Sequence, residues 1–331
     1  MKIKTLLLSL LVLLAPATAR DLQIGKQTIV RQQPGLDVSV AYPVIDGLPA
    51  EFNRQARSRA EQMVAEFLEH YQDIKADLRA DLTLTLQVDF AVAHQSDQLL
   101  SLLFSGDEYS GGAHGNPVYY MLHVDPASGR KLSVEDLFRS RQGLSVLARV
   151  CRQELLKKEG LAQNPDWVLR GTLPTTDNLT LTWAEQDGVH VIFPPYQVAP
   201  YVAGTSEVTV AYIALSGLLS ERLDPGARLP GQWRVVTIDG QPVGGTIELT
   251  FDDNGFLTGT TGVNQLSGSY QTAGHFMTIP PLVTTKMAGS PEAMKAEAAL
   301  LTALGNVTGF AFEGQRLLLK DQQQTVIELT P

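Results

Sequence analysis

AEFNRQARSRAEQMVAEFLEHYQDIKADLRADLTLTLQVDFAV, residues 50–92, changes its period partway along. As far as about Tyr71, the residues Phe52, Ala56, Ala60, Met63, Phe67 and Tyr71 recur at steps of three and four, while Arg54, Arg57, Glu61 and Glu66 fill other faces. That spacing predicts a helix with one apolar stripe. From Leu82 the step becomes two, through Leu84, Leu86, Val88, Phe90 and Val92, the alternation of a strand with one buried face. A striped helix beside one-faced strands predicts an α+β domain, an antiparallel sheet packed by helices.

Outward from this stretch the same reading extends both ways. Upstream, Leu36 to Val44 reads as a strand that ends at Tyr42-Pro43 before the Asp46-Gly47 turn. Downstream, Leu99 to Phe104 and Val118 to Val124 read as strands, and Asp125 to Gly129 as a turn leading into Leu132 to Phe138. Within Gly143 to Gly160 the residues Leu144, Leu147, Cys151 and Leu155 share a helical face. A hairpin is written in Leu179, Leu181 and Trp183, the Asp187-Gly188 turn, then Val189, Val191 and Phe193, and Glu207 to Ile213 adds a strand.

Glu221 to Pro230 breaks the pattern with Pro225, Gly226 and Pro230 and is read as a linker. Beyond it, short strands recur at Trp233 to Ile238, Thr246 to Phe251, Phe256 to Gly259, Leu266 to Gln271 and Phe276 to Ile279. A helix opened by Pro291 and stopped at Gly305-Asn306 carries Met294, Ala298, Leu301 and Leu304, and three strands follow at Phe310 to Phe312, Leu317 to Leu319 and Val326 to Leu329. This predicts a small, mainly-β, barrel-like domain with one helix. The expected organisation is a leader at 1–19, a first domain at 20–220, a linker at 221–230 and a second domain at 231–331.

The leader is predicted from Lys2 and Lys4, the apolar run Leu6 to Leu14 and the small-residue site Ala15-Pro16-Ala17-Thr18-Ala19, with cleavage between Ala19 and Arg20. The apolar run is shorter than the roughly 20 residues of a membrane span, so a soluble periplasmic or secreted protein with no span after cleavage is expected. Without Lys2 and Lys4 the chain carries 24 basic and 35 acidic residues, a formal charge of -11 in place of -9. An acidic surface repels phosphate polymers and argues against nucleic acid. Cys151, the single cysteine, has no intramolecular partner and is read as a small buried apolar residue.

Two stretches are candidates for binding. In Asp107-Glu108-Tyr109-Ser110-Gly111-Gly112-Ala113-His114-Gly115, carboxylates and an imidazole accompany a glycine-rich turn. Gly111 and Gly112 would let a ligand approach the backbone beside His114, although a tight strand connection would also need them. In Phe193 to Gly204, Pro195 and Pro200 stiffen a segment carrying Tyr196 and Tyr201, a preordered aromatic edge for a partner, or a lid over the core. His94, His123 and His190 are scattered along predicted strands. No metal ligand set, cofactor motif, nucleophile elbow or phosphate loop is present, so neither metal nor cofactor is expected. Asp252-Asp253-Asn254-Gly255 reads as a hairpin turn, since a calcium loop needs alternating ligands and a distal glutamate.

Gly231-Gln232-Trp233, Ile238-Asp239-Gly240, Leu249-Thr250-Phe251, Asn254-Gly255, Gly259, Gly262, Asn264, Gly268, Tyr270 and Thr285-Lys286-Met287-Ala288, with Glu297, Leu301 and Leu304, make the second domain resemble the META/HslJ family. The resemblance implies a compact envelope domain linked to stress or drug tolerance. Many of that family have cysteine at the positions of Val263 and Gly289, and the joint loss implies that these two residues lie close in space. In the first domain, Tyr42-Pro43, Asn53, Ser110 to Gly115, Asp125, Gly129, Leu132, Asp136-Leu137-Phe138 and Phe193 to Gly204 resemble the ectodomains of RsiV-type anti-sigma factors, which sense lysozyme by binding it, and the N-terminal region of PdaC-type deacetylases. Neither the membrane and sigma-binding segments of the former nor the deacetylase domain of the latter is part of the resemblance. The expectation is therefore a non-enzymatic envelope protein, not a catalyst, that binds an envelope protein or glycan, with lysozyme and peptidoglycan as the named partners, in stress tolerance. The alternatives are a peptidoglycan-fragment-processing enzyme centred on the Glu108 to His114 loop and a structural stress factor. Oligomeric state and the relative orientation of the domains are left open.

Overall fold

In the computed structural model, residues 22–331 are described apart from 77, 78, 80, 81, 186 and 323, so the expected leader and its cleavage site lie outside the described residues. The chain divides into two compact units, one ending at Leu218 and one running from Leu219 to Pro331. The first is α+β and the second mainly β with one helix.

The first unit opens with β1 (Gln23–Gln33), β2 (Leu36–Asp46), α1 (Ala50–Ile74), β3 (Leu84–Gln95), β4 (Leu100–Tyr109), β5 (Asn116–Val124) and β6 (Lys131–Leu132), six strands in sequential sheet order. Four of the five pairings are antiparallel, but β2 and β3 run parallel, Leu36 beside Leu84 through Val40 beside Val88. A parallel pair needs a crossover, and α1 supplies it. The helix buries Phe52, Ala56, Ala60, Val64, Phe67 and Tyr71, with Met63 only half-buried beside them. These side chains cover Leu84, Leu86, Val88, Leu100, Leu102, Phe104, Leu122 and Val124, the inward-pointing residues of alternating strands. At the helix entry, the Asn53 side chain accepts from the Ile45 amide at 2.9 Å and donates to the Ile45 carbonyl at 3.1 Å.

The opposite face of this sheet meets a second, smaller one. After α2 (Arg141–Leu155) and α3 (Pro165–Gly171), the strands β7 (Thr182–Ala184), β8 (Val189–Phe193) and β9 (Ser206–Val210) pair antiparallel. Leu181, Trp183 and Ile192 of this sheet pack with Met121 of β5. His94, Ser101 and His123 form one row across β3, β4 and β5 on that covered face. Ser101 Oγ is 2.8 Å from His123 Nδ1, and His94 Nδ1 is 3.1 Å from the Ala184 carbonyl. Burial, reinforced by the neighbouring His94, pushes His123 down to about 4. Cys151 is fully buried on α2, where burial pushes its thiol up to about 12 and keeps it inert.

The second unit is one long, curled antiparallel sheet in the order β15-β16-β18-β19-β20-β10-β12-β13-β14-β17, with β11 paired to β10. In chain order these are β10 (Gly231–Ile238), β11 (Gln241–Pro242), β12 (Glu248–Phe251), β13 (Phe256–Thr260), β14 (Gln265–Ser269), β15 (Gln271–Ala273), β16 (Phe276–Thr278), β17 (Val283–Thr284), then α4 (Pro291–Gly305), β18 (Gly309–Glu313), β19 (Arg316–Asp321) and β20 (Gln324–Thr330). The Ser290 hydroxyl caps α4 by accepting from the Ala293 amide. Residues 221–230, expected as a linker, are folded into this unit: Leu223 and Leu229 are buried, and the Arg228 guanidinium lies 4.1 Å from the Phe312 ring centroid. The Asp252 carboxylate accepts from the Asn254 and Phe256 amides at 2.9 and 2.7 Å, an Asx turn at the head of a hairpin.

The residues behind the family resemblance in this unit make a buried polar knot. Asn264 donates to both Glu297 oxygens at 3.1 and 3.0 Å and accepts from the Met287 amide at 2.7 Å and the Thr285 hydroxyl at 2.8 Å. The Thr261 hydroxyl donates to Glu297 as well. This knot ties loop 261–264 to segment 285–289 and to α4. It brings Val263 against Gly289, where a Cβ built on the glycine would lie 3.5 Å from Val263 Cβ.

Two measurements test these arrangements. A Cβ separation of 3.5 Å fits a disulfide, so the double variant Val263→Cys, Gly289→Cys is expected to oxidise without denaturant and to gain roughly 3 kcal/mol. Thiol titration that finds both cysteines free after air oxidation would contradict the arrangement. The second concerns His123, which stays neutral in the fold while the unfolded chain takes up a proton near pH 6.5. Stability is thus lost as pH falls from about 6.5 to about 4, by roughly 3 kcal/mol, and the difference between parent and His123→Gln unfolding curves should carry that slope.

Candidate functional site

The two candidate stretches, some eighty residues apart in sequence, come together in the first unit. The glycine-rich stretch is shorter as a loop than expected, because Asp107, Glu108 and Tyr109 continue β4, with Glu108 paired to Asn116 of β5. Residues 110–115 make the turn. Gly111 takes φ +93°, which favours glycine, and a Cβ there would sit 3.4 Å from Leu84 Cδ2. The turn is pinned to α1, where His70 Nε2 lies 3.1 Å from the Ser110 carbonyl. Gly112 and His114 are exposed, and His114 Nδ1 is 3.0 Å from the Gly115 carbonyl.

The second stretch leaves β8 and folds over α3. Tyr196 takes φ 71°, a left-handed conformation that costs a bulky residue roughly 1–2 kcal/mol. It is held there by its own amide donating to the Ala199 carbonyl at 2.9 Å and by the Trp167 indole donating to its carbonyl at 3.0 Å. Gln197 reaches back to the Gly171 and Asn178 carbonyls at 2.9 and 2.7 Å. Pro195 is half-buried in the turn, and exposed Pro200 leads into a single 3-10 turn, Tyr201–Ala203.

The junction is made by Tyr201. Its hydroxyl donates to the Gly115 carbonyl at 2.6 Å and its ring stacks on His114 with centroids 3.7 Å apart and planes 17° apart. Tyr196 lies 5.8 Å from Tyr201 at 37°. Tyr119 of β5 and Thr205 share a further hydroxyl contact at 3.3 Å. Three rings thus form a continuous patch, with Tyr196 55% exposed and Val202 93% exposed at its margin. Gly111 and Gly112 belong to the loop that supports it, and Pro195 and Pro200 set the path of the opposing segment without entering the stack. Of the residues in that stretch, Glu108 lies on β4 and His114 is engaged by Gly115 and Tyr201. Chemically, the patch offers flat aromatic faces to an apolar or C–H-rich ligand surface, with hydroxyls at its edge.

Sequence reasoning named both halves of this patch but not their contact, nor Trp167 and Tyr119, which brace it. A second constellation escaped it: His190, placed among scattered histidines, sits between Asp187 and Glu207.

Residues 227–331 match the family model described as META domain, residues 29–117 that described as Deacetylase PdaC, and residues 135–212 that described as Protein of unknown function (DUF3298). A curated relative, the peptidoglycan-N-acetylmuramic acid deacetylase PdaC of Bacillus subtilis strain 168, is 25% identical over 196 residues. The match takes in 59% of this chain and 41% of that relative, so the chain spans less than half of its length. Two solved structures of the DUF3298 family are similar to it. One, from Bacteroides fragilis, has 19% identity and a TM-score of 0.46 over 60% of this chain and 94% of that one. The other, from Pseudomonas aeruginosa, has 16% identity and a TM-score of 0.43 over 61% and 94%. The expectation of a chain without enzymatic character is corrected by these matches, since both the curated relative and the model over residues 29–117 carry the name of a deacetylase. No described helix is long and apolar enough to cross a membrane.

The left-handed backbone at Tyr196 has a measurable signature. Tyr196→Ala and Tyr196→Gly both remove the ring, but glycine also relieves the backbone conformation. Tyr196→Gly is expected to unfold about 1 kcal/mol later than Tyr196→Ala by urea titration, the reverse of the usual order.

Proposed function

We propose that this chain is a cell-envelope protein directed at peptidoglycan, and that its first unit receives the sugar strand on the face formed by His114, Tyr196 and Tyr201. The observation that carries the reading is the stack of His114 on Tyr201, extended by Tyr196, held by a strained backbone and left open to solvent. Maintaining a bulky residue at positive φ beside an exposed aromatic stack has a cost with no return in core packing, a pattern associated with binding sites. Pyranose rings present C–H faces that lie flat on aromatic faces. With a formal charge of -9, the chain would repel the carboxylates of the stem peptides, so ring stacking rather than ion pairing would supply the contact.

Support for the polymer comes from the curated relative, named for acting on N-acetylmuramic acid in peptidoglycan. The Deacetylase PdaC match over residues 29–117, which contains His114, also favours a second reading in which the N-acetyl group of the bound sugar is hydrolysed on this face. With Nδ1–H donating to the Gly115 carbonyl, Nε2 is the basic nitrogen of His114 and could accept a proton from water.

Co-sedimentation of the purified chain with insoluble peptidoglycan tests the binding reading. Saturable binding that persists in high salt and weakens about tenfold in Tyr201→Ala, equivalent to about 1.4 kcal/mol, is the expected outcome. Binding to lysozyme but not to peptidoglycan, or sedimentation that Tyr196→Ala and Tyr201→Ala leave unchanged, would sink it. Acetate release from the same material, lost in His114→Ala, is the outcome expected of the hydrolytic reading.

A further inference from the structure

A second cluster of polar side chains lies on the hairpin of β7 and β8. His190, opposite Trp183 in the register, has a side chain only 10% exposed. Its Nε2 is 2.8 Å from Asp187 Oδ1 and its Nδ1 is 2.9 Å from Glu207 Oε1, with Thr209 Oγ1 at 3.3 Å from the same Nδ1. Glu185 is fixed beside them. The Trp183 indole donates to Glu185 Oε1 at 2.7 Å, the Tyr212 hydroxyl to the Glu185 carbonyl at 2.6 Å, and the Glu185 amide to the Gly188 carbonyl at 2.9 Å. One ligand atom each from Glu185, Asp187 and His190 therefore falls within 4.8 Å of the others.

We propose that Glu185, Asp187 and His190 form a binding site for a divalent transition-metal ion of the zinc class, with Glu207 as the group that orients the imidazole. The charge arrangement asks for a cation. Glu185, Asp187 and Glu207 bring three carboxylates around one imidazole, and the Lys158 ammonium donates to the Glu207 backbone carbonyl at 2.9 Å. The donor types select the ion: one imidazole nitrogen with two carboxylates suits zinc, whereas calcium takes six to eight oxygens. Glu207 takes the position occupied by the outer carboxylate of many metal-binding histidines. By accepting from Nδ1–H it leaves Nε2, 2.8 Å from Asp187 Oδ1, as the nitrogen that would bind the ion. Trp183, stacked on His190 at 5.2 Å and 23°, floors the site and reports on it. Three protein ligands leave a coordination position for water or for an oxygen of a bound molecule.

The test is a Zn2+ titration of the full chain followed by calorimetry and by tryptophan fluorescence. One saturable equivalent is expected, with a fluorescence change that disappears in Trp183→Phe and no competition from Ca2+. Glu185→Gln and Asp187→Asn alter exposed side chains, leave the fold intact by circular dichroism, and should each weaken binding at least tenfold. Glu207→Gln should weaken it by about 10–100-fold while the stoichiometry stays at one. Absence of saturable zinc binding, or an affinity that Glu185→Gln and Asp187→Asn leave unchanged, overturns the assignment.

Discussion

The first unit depends on a single packing constraint, the need of α1 to cover its stripe. A 25-residue helix that buries Phe52, Ala56, Ala60, Val64, Phe67 and Tyr71 gains most of its stability from whatever lies under that face. What lies there is one face of a sheet whose strands contribute every second side chain, among them Leu86, Val88, Leu102 and Leu122. Because the helix runs between β2 and β3, its packing also dictates that these strands pair in parallel, the one departure from antiparallel order in the sheet. A shift of β3 by one residue would turn Leu84, Leu86 and Val88 away from the helix, so the stripe fixes the register as well as the topology.

The aromatic patch is a consequence at one remove. With β3, β4 and β5 fixed by α1, the β4–β5 turn is placed at the end of the helix, where Ile74 and Leu82 neighbour Gly111 and His70 meets Ser110. The other face of the same strands accepts Leu181, Trp183 and Ile192, which sets the path of β8 and hence of the segment that leaves it. Tyr201 then needs only one hydrogen bond, to Gly115, to bring its ring over His114. The patch is thus assembled from loops, but each loop is anchored on a strand of the two packed sheets, the arrangement that gives exposed rings a fixed geometry.

What was legible in the sequence follows from which interactions are local. The stripe of α1 and the alternation of β3 are properties of neighbouring residues, and both appear in the fold with small shifts, Val64 replacing Met63 in the buried row. β1 was not legible, since Gln23–Gln33 is a polar edge strand whose alternation carries no apolar signal. The parallel pairing of β2 with β3 was hidden for a different reason: one-faced alternation is equally compatible with either direction. The patch residues His114, Tyr196 and Tyr201 were visible singly through glycine, proline and aromatic content, whereas their stacking is a tertiary fact. His190 shows the same limit. Nothing adjacent in sequence marks Glu207, seventeen residues away, as its partner, because only the β8–β9 pairing brings them together.

The second unit shows how a polar network does work that a covalent bond could do. Loop 261–264 must be held against segment 285–289, and in this chain Asn264 does so by satisfying the Met287 amide and carbonyl, the Thr285 hydroxyl and the Glu297 carboxylate at once. Every polar atom of the Asn264 side chain is used, so the network avoids the desolvation cost that a partly paired buried amide would incur. Val263 and Gly289 are placed together by that network, to which the Val263 amide adds a bond to the Thr261 hydroxyl at 3.3 Å. The proximity is therefore a product of the hydrogen bonds around Asn264 and does not require a crosslink to exist. A disulfide between these two positions would reinforce a geometry that the polar knot has already fixed.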